Sequence, residues 1–204
     1  MKKGKEKEMN IINIVELLFF FAIVGFFLRK LSGEYGDEMD LKQKTKKKAV
    51  IHLVDKEESN IMSKVKEIDP SFNEEDFLTG AKEAFKMIVS AFNRGRLDEI
   101  KNYISHDIWQ SFDSVVSERK AKGITSFFEL IAFTRAVVRD IKLTGNIASV
   151  TVDFESEQES YTADADGKVL SGSANQVVKV SDVWTFTRDL RSKDPNWVLT
   201  ATQN

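Results

Sequence analysis

Two charged side chains on an otherwise apolar strand face are the residues best placed for chemistry. From Val178 the even positions read Val178, Val180, Asp182, Trp184, Phe186, Arg188 and Leu190, while the odd positions are mostly polar. That is period two, the signature of a strand with one buried face. Trp184 and Phe186 bring the largest apolar areas to that face. Asp182 and Arg188 share it but stand roughly 20 Å apart along a strand. They therefore do not pair with each other, and each needs another partner or water. An inward carboxylate can act as an acid or base, and an inward guanidinium can hold an anion. A plain core strand with satisfied polar groups accounts for the same pattern, so neither residue defines a reaction.

The rest of the chain adds little catalytic chemistry. There is no cysteine, which excludes disulfides, thiolate metal sites and cysteine nucleophiles. The two histidines, His52 and His106, are too few for a multi-histidine metal centre. His106 stands beside Asp107 at a helix start, where capping explains both. No phosphate-cradling glycine loop, Gly-x-Ser-x-Gly or His-Glu-x-x-His occurs. The expectation is no catalytic residue, no metal and no cofactor. A formal charge of −2 supplies no basic field for nucleic acid.

The elements that position these residues follow from the N-terminus. Residues 1–10 are lysine-rich, and an almost uninterrupted apolar run follows: Ile11, Ile14, Leu17, Leu18, Phe19, Phe20, Phe21, Ile23, Val24, Phe26, Phe27 and Leu28. Eighteen helical residues span about 27 Å, close to a hydrocarbon core of about 30 Å. Glu16 would cost up to about 3 kcal/mol at mid-membrane, but it lies toward one end. A transmembrane helix over 11–30 is expected. A cleaved signal peptide fits less well, because the run is long and no Ala-x-Ala site follows. Lys and Arg are richer on the C-terminal side, which places the bulk of the chain in the cytoplasm.

Residues 31–66 are charge-rich and read as a flexible linker. Its lysines at 42–48 suit either an anionic lipid surface or solvent. The folded domain is expected over 67–204. Asn73 is the candidate N-cap of a helix, with Phe72 and Phe77 at the positions of a hydrophobic staple. Phe77, Ala81, Phe85, Ile88 and Phe92 form its apolar stripe. A short helix from about Asp98 and a third capped by Ser105 or Asp107 follow, the last ending at Gly123. Residues 127–143 fit either a helix or a strand by spacing. Beyond them period two is clear, with a turn at Thr144-Gly145-Asn146, another at Asp166-Gly167, and Trp197, Leu199 and Ala201 facing inward on the last strand. Helices followed by a meander of strands make an α+β domain.

Several motifs in order carry a family resemblance. They are Asp69-Pro70-x-Phe72, Phe77-Leu78-x-Gly80-Ala81-Lys82-x-Ala84-Phe85, Ala148-x-Val150-Thr151-Val152-x-Phe154, Asp182-Val183-Trp184-Thr185-Phe186-x-Arg188 and Asp194-Pro195-Asn196-Trp197-x-Leu199. Over roughly 67–204 the chain resembles the Tim-forty-four-like family, the mitochondrial inner-membrane import adaptor and its bacterial relatives. The resemblance tips residues 127–143 to a long strand or bent pair. It implies helices on a curved, mainly antiparallel sheet, a nuclear-transport-factor-two-like cone.

As function, the resemblance implies an adaptor or scaffold near a protein translocase that binds inner-membrane lipid, cardiolipin included, with a chaperone or translocase subunit as partner. The motor-binding segment of the mitochondrial protein precedes this domain, and only a short tether stands there, which puts chaperone recruitment in doubt. Lys82, Lys86, Arg94, Arg96 and Lys101 are the candidate lipid contacts. Phe154, Asp182, Trp184, Phe186, Arg188 and Trp197 are the pocket or core signature. The anchor in place of an Arg-rich presequence points to the plasma membrane of an alpha-proteobacterium. The alternative class is a small-ligand or lipid carrier, or an enzyme, with an inward carboxylate in its pocket. A ribosomal role disagrees with the membrane span and the acidic balance.

Overall fold

A computed structural model describes residues 60–203. The expected membrane helix over 11–30 and residues 31–59 of the expected linker lie outside that range. The linker's last residues do not continue it. Residues 60–68 form a helix, α1, and Val65 is buried in the domain core. Ile61, Val65 and Ile68 recur at helical spacing, so burial in the core outweighs the charged residues between them.

Helix α2, Glu74–Arg94, begins as its sequence dictates. The Asn73 side chain accepts from the backbone N–H of Glu75 and Asp76. Phe72 and Phe77 close the staple with ring centroids 6.1 Å apart. Gly95 ends the helix in the left-handed conformation, at φ 66°. A 3-10 turn, Leu97–Ile100, leads to α3, His106–Ala121, where Ser105 rather than Asp107 is the cap, accepting from Ile108 N–H. Arg119 of α3 donates to the Phe92 carbonyl at 2.6 Å and Lys120 to the Gly95 carbonyl at 3.2 Å. Two cations thus answer the open carbonyl end of α2.

The strands are β1, Thr125–Thr144; β2, Ile147–Ala163; β3, Val169–Gly172; β4, Val178–Asp189; and β5, Val198–Gln203. They form one antiparallel sheet ordered β1-β2-β4-β5, with β3 on the same edge of β2 beyond β4. Gly145, at φ 61°, makes the two-residue turn into β2. Residues 127–143 are one strand, and its helix-like spacing has a cause. Register shifts at Leu130/Ala132, Phe133/Arg135 and Val138/Asp140 break the two-residue alternation. The same bulges blunt an otherwise long free edge.

One face of the sheet is covered by α2. Phe85 is the hub, with ring centroids 5.4 Å from Phe133, 5.1 Å from Phe154 and 4.5 Å from Trp184. Trp184 is 4% exposed and Phe186 1%. On β5, Leu199 is buried as expected, but Thr202 rather than Ala201 follows it inward. A register shift between Thr185 and Phe186 places an extra residue on β5 and exchanges the two.

Candidate docking groove

The inward polar residues of β4 do not meet in one site. Asp182 lies opposite Phe154, and among the described residues its carboxyl has no ion-pair or hydrogen-bond partner. Burial raises its pKa to about 6. Its nearest inward polar neighbours on β2 are Ser156 and Gln158, which are buried and bonded to each other at 2.7 Å. Phe154, Trp184 and Phe186 pack the core between the two charges.

Arg188 opens instead onto the other end of the sheet. Its Nη1 stands 3.1 Å from Asp69 Oδ2, with both side chains largely buried. The contact is an ion pair without hydrogen-bond alignment, so Asp69 Oδ2 and Arg188 Nε have no hydrogen-bond partner. The other oxygen, Asp69 Oδ1, accepts from the Ser71 hydroxyl and the Ser71 N–H. Those Ser71 bonds, with Arg188 adding to them against the opposing effect of burial, hold the Asp69 pKa below its usual value. The Arg188 guanidinium also lies 6.0 Å from the Trp197 ring centroid.

A cleft of about 550 Å³ runs from this pair along the flank of α2. Trp197 forms one wall, packed at 4.8 Å on Phe77 and 6.0 Å on Phe72. Tyr103 stands in the cleft because its carbonyl accepts from Leu199 N–H and Leu199 accepts from Ser105 N–H, both at 2.8 Å. The floor carries Gly80 and Ala84, one helical turn apart, and the rim carries Asp76 and Glu83. Asp69, Gly80, Ala84 and Tyr103 were not singled out from sequence as site residues. The available signal was a second stripe on α2 at Asn73, Asp76, Gly80, Glu83 and Met87, beside the apolar one.

The expected lipid contacts separate. Arg94 and Arg96 both bond Glu99, at 3.0 and 3.4 Å, and Arg94 Nε also reaches the Ser90 carbonyl. Lys82, Lys86 and Lys101 have no ion-pair partner among the described residues. Among the described residues no group of three or more His, Cys, Asp or Glu could hold a metal, and no helix is long and apolar enough to cross a membrane.

The domain is α+β, and its cleft is a helix-flank groove with an aromatic wall. The Tim44-like domain family matches residues 58–204, and the chain belongs to that family. Among its relatives, mitochondrial import inner membrane translocase subunit TIM44-1 of Arabidopsis thaliana is 22% identical over 63% of this chain and 28% of that protein. TIM44 of Rattus norvegicus is 20% identical over 68% of this chain and 31% of that protein. An uncharacterised protein of Rickettsia prowazekii (strain Madrid E) is 26% identical over 63% of this chain and 51% of that protein. The matched part is thus less than a third of the Arabidopsis and rat proteins. Among solved structures, the intermembrane-space region of the chloroplast protein ARC6 aligns with a TM-score of 0.47 at 13% identity, over 66% of this chain and 97% of that one.

Proposed function

We propose that the protein is a membrane-anchored adaptor, held by the apolar run 11–28 in a bacterial plasma membrane, whose cytoplasmic domain docks partner proteins near a protein translocase. The observation that carries the reading is the open groove along α2 in a domain of the Tim44-like family. Relatives named as inner-membrane translocase subunits support the location of the partner. Lys82, Lys86 and Lys101 are free to approach anionic lipid, cardiolipin included, while Arg94 and Arg96 are engaged by Glu99. The sheet with its helix-covered face suits the nuclear-transport-factor-two-like cone. Photo-crosslinking from Gly80 and Tyr103 in intact membranes tests the adaptor reading. Attachment to a translocase component is the expected result, and attachment to none of them overturns it.

A second reading rests on Asp182. An inward carboxyl without an ion-pair or hydrogen-bond partner among the described residues, on the same sheet face as Ser156 and Gln158, suits a small-ligand or lipid carrier, or an acid–base enzyme. A bound small molecule released on denaturing the purified protein would favour it.

A further inference from the structure

Among the described residues six large apolar side chains are exposed, and five of them, Phe127, Ile131, Val169, Val177 and Val178, stand at one end of the sheet, where β1 and β4 start and β2 ends. Single exposed apolar residues need no explanation, but a cluster at one end does. On the outer face, away from α2, Phe127 and Tyr161 lie directly opposite each other and stack with ring centroids 4.9 Å apart. Gly172 faces Tyr161 from β3, and a Cβ there would collide with the Ser160 carbonyl, so no side chain from that position covers the ring.

The next row of the same face holds a conflict of charge. Glu129 and Glu159 are directly opposite each other. Like charges in that position destabilise a sheet. Neither has an ion-pair partner among the described residues, and Glu159 accepts only from the Asn175 N–H, at 2.6 Å. On these strands and the β2–β3 turn, Lys168 and Lys179 stand against Glu129, Glu157, Glu159, Asp164 and Asp166. This end of the sheet is therefore apolar with an acidic surplus.

The edge itself is open. Strand β1 pairs with β2 alone, and among the described residues the backbone of residues 125–131 makes no bond to a turn or loop. The bulges that blunt the rest of the edge begin only after Leu130, and residues 125–130 pair one for one with β2. A regular stretch with free peptide groups is a template for another strand. Ser126 donates to Asn93 near the end of α2, so the stretch is fastened to the helix on its inner side.

We propose that residues 125–131 accept a strand from a partner protein, in which a basic side chain beside Glu129 and Glu159 stands two residues from an apolar one against Phe127 and Tyr161. The spacing follows from the alternation of a strand, whose every second side chain lies on one face. Main-chain hydrogen bonds hold such a segment, and its alternate side chains select it. The acidic surplus disfavours an anionic membrane or a nucleic acid, and a second copy of this chain would bring its own Glu129 to the same edge. The edge is a different surface from the groove along α2, so the proposal goes beyond the adaptor reading and stands without it.

The test uses the full chain in zwitterionic vesicles and a short end-blocked peptide of alternating threonines, with lysine at its centre and valine two residues to either side. Amide hydrogen exchange is the readout. At millimolar peptide, protection of the edge amides in residues 125–131 should rise at least threefold. Residues 140–144, another regular stretch of β1, should not change. A peptide with glutamate in place of the lysine should give no protection. E129K should abolish the gain from the lysine peptide without lowering the thermal midpoint, because it replaces like charges by opposite ones across the pair. No added protection at 125–131 overturns the proposal, as does equal protection by the two peptides. Protection that grows with chain concentration in the absence of peptide would make a second copy the occupant, and protection by cardiolipin-containing vesicles alone would make it lipid; either result overturns the proposal. Neither a translocase nor the groove enters this readout, so its failure leaves the crosslinks from Gly80 and Tyr103 to decide the adaptor reading.

Discussion

Arg188 Nη1 and Asp69 Oδ2 stand 3.1 Å apart and join the two ends of the domain. Asp69 lies in the turn between α1 and α2, and Arg188 near the end of β4. The pair explains why a charged residue stands on an apolar strand face: its partner comes from the turn that closes the helices over that face.

Removing one member of the pair leaves the other largely buried and uncompensated. R188A should therefore destabilise the domain by roughly 3 kcal/mol, the low end for a broken buried pair, because Ser71 still bonds Asp69. D69N/R188A should cost less than the sum of the single changes. Urea melts of the four variants measure the coupling, and strict additivity would show that the contact contributes nothing. The Asp69 pKa is depressed in the fold, so its contribution is present above its unfolded value near 3.9 and lost as pH falls through the folded value.

Asp182 has the opposite sign. Its folded pKa, about 6, is above the unfolded value of about 3.9. The folded state binds the extra proton between these values, so stability falls as pH rises through that window. D182N should raise the thermal midpoint at pH 7.5, by on the order of 2 kcal/mol in stability, and have little effect near pH 4. Calorimetry across pH 4–8 gives the answer, and a gain equal at all pH values would place the cause elsewhere.

Trp184 is 4% exposed and packs on Phe85, Phe154 and Phe186. W184A should cost roughly 3–5 kcal/mol. Against typical total stabilities of about 5–15 kcal/mol, chemical denaturation should register a large loss of midpoint. Little change would mean that the cavity collapses around the truncated side chain.

Vesicle flotation tests the lipid contacts. The domain should bind cardiolipin-containing vesicles weakly at low salt and neutral vesicles not at all, with binding fading as the Debye length shortens from about 10 Å toward 3 Å. K82Q/K86Q/K101Q should lose most of it, while R94Q/R96Q should lose little because Glu99 already holds both arginines. The reverse ranking would move the contact to the end of α2.

The anchor is tested by alkaline carbonate extraction. The full chain should stay in the membrane pellet and a chain lacking 11–28 should leave it. Full release of the intact chain would reduce the run to a peripheral contact.

Nearest-neighbour chemistry made much of the fold legible in advance. The Asn73 cap, the Phe72–Phe77 staple, the turn at Gly145 and the alternation of β4 each depend on residues a few positions apart. The inward placement of Asp182, Trp184, Phe186 and Arg188 followed from period two alone. Which charge would find a partner did not, because Asp69 and Arg188 meet only when the α1–α2 turn closes on β4. Nor did the continuity of β1, since its bulges are defined by pairing with β2 and disguise the alternation. The exchange of Ala201 for Thr202 has the same origin in a cross-strand register shift. The groove likewise belongs to the tertiary structure: its floor lies on α2, while Tyr103 and Trp197 are carried to it by bonds to β5 and by packing on Phe77. Local sequence sets turns, caps and periods, but partners for buried charge and the walls of a cleft come from distant segments brought together by burial.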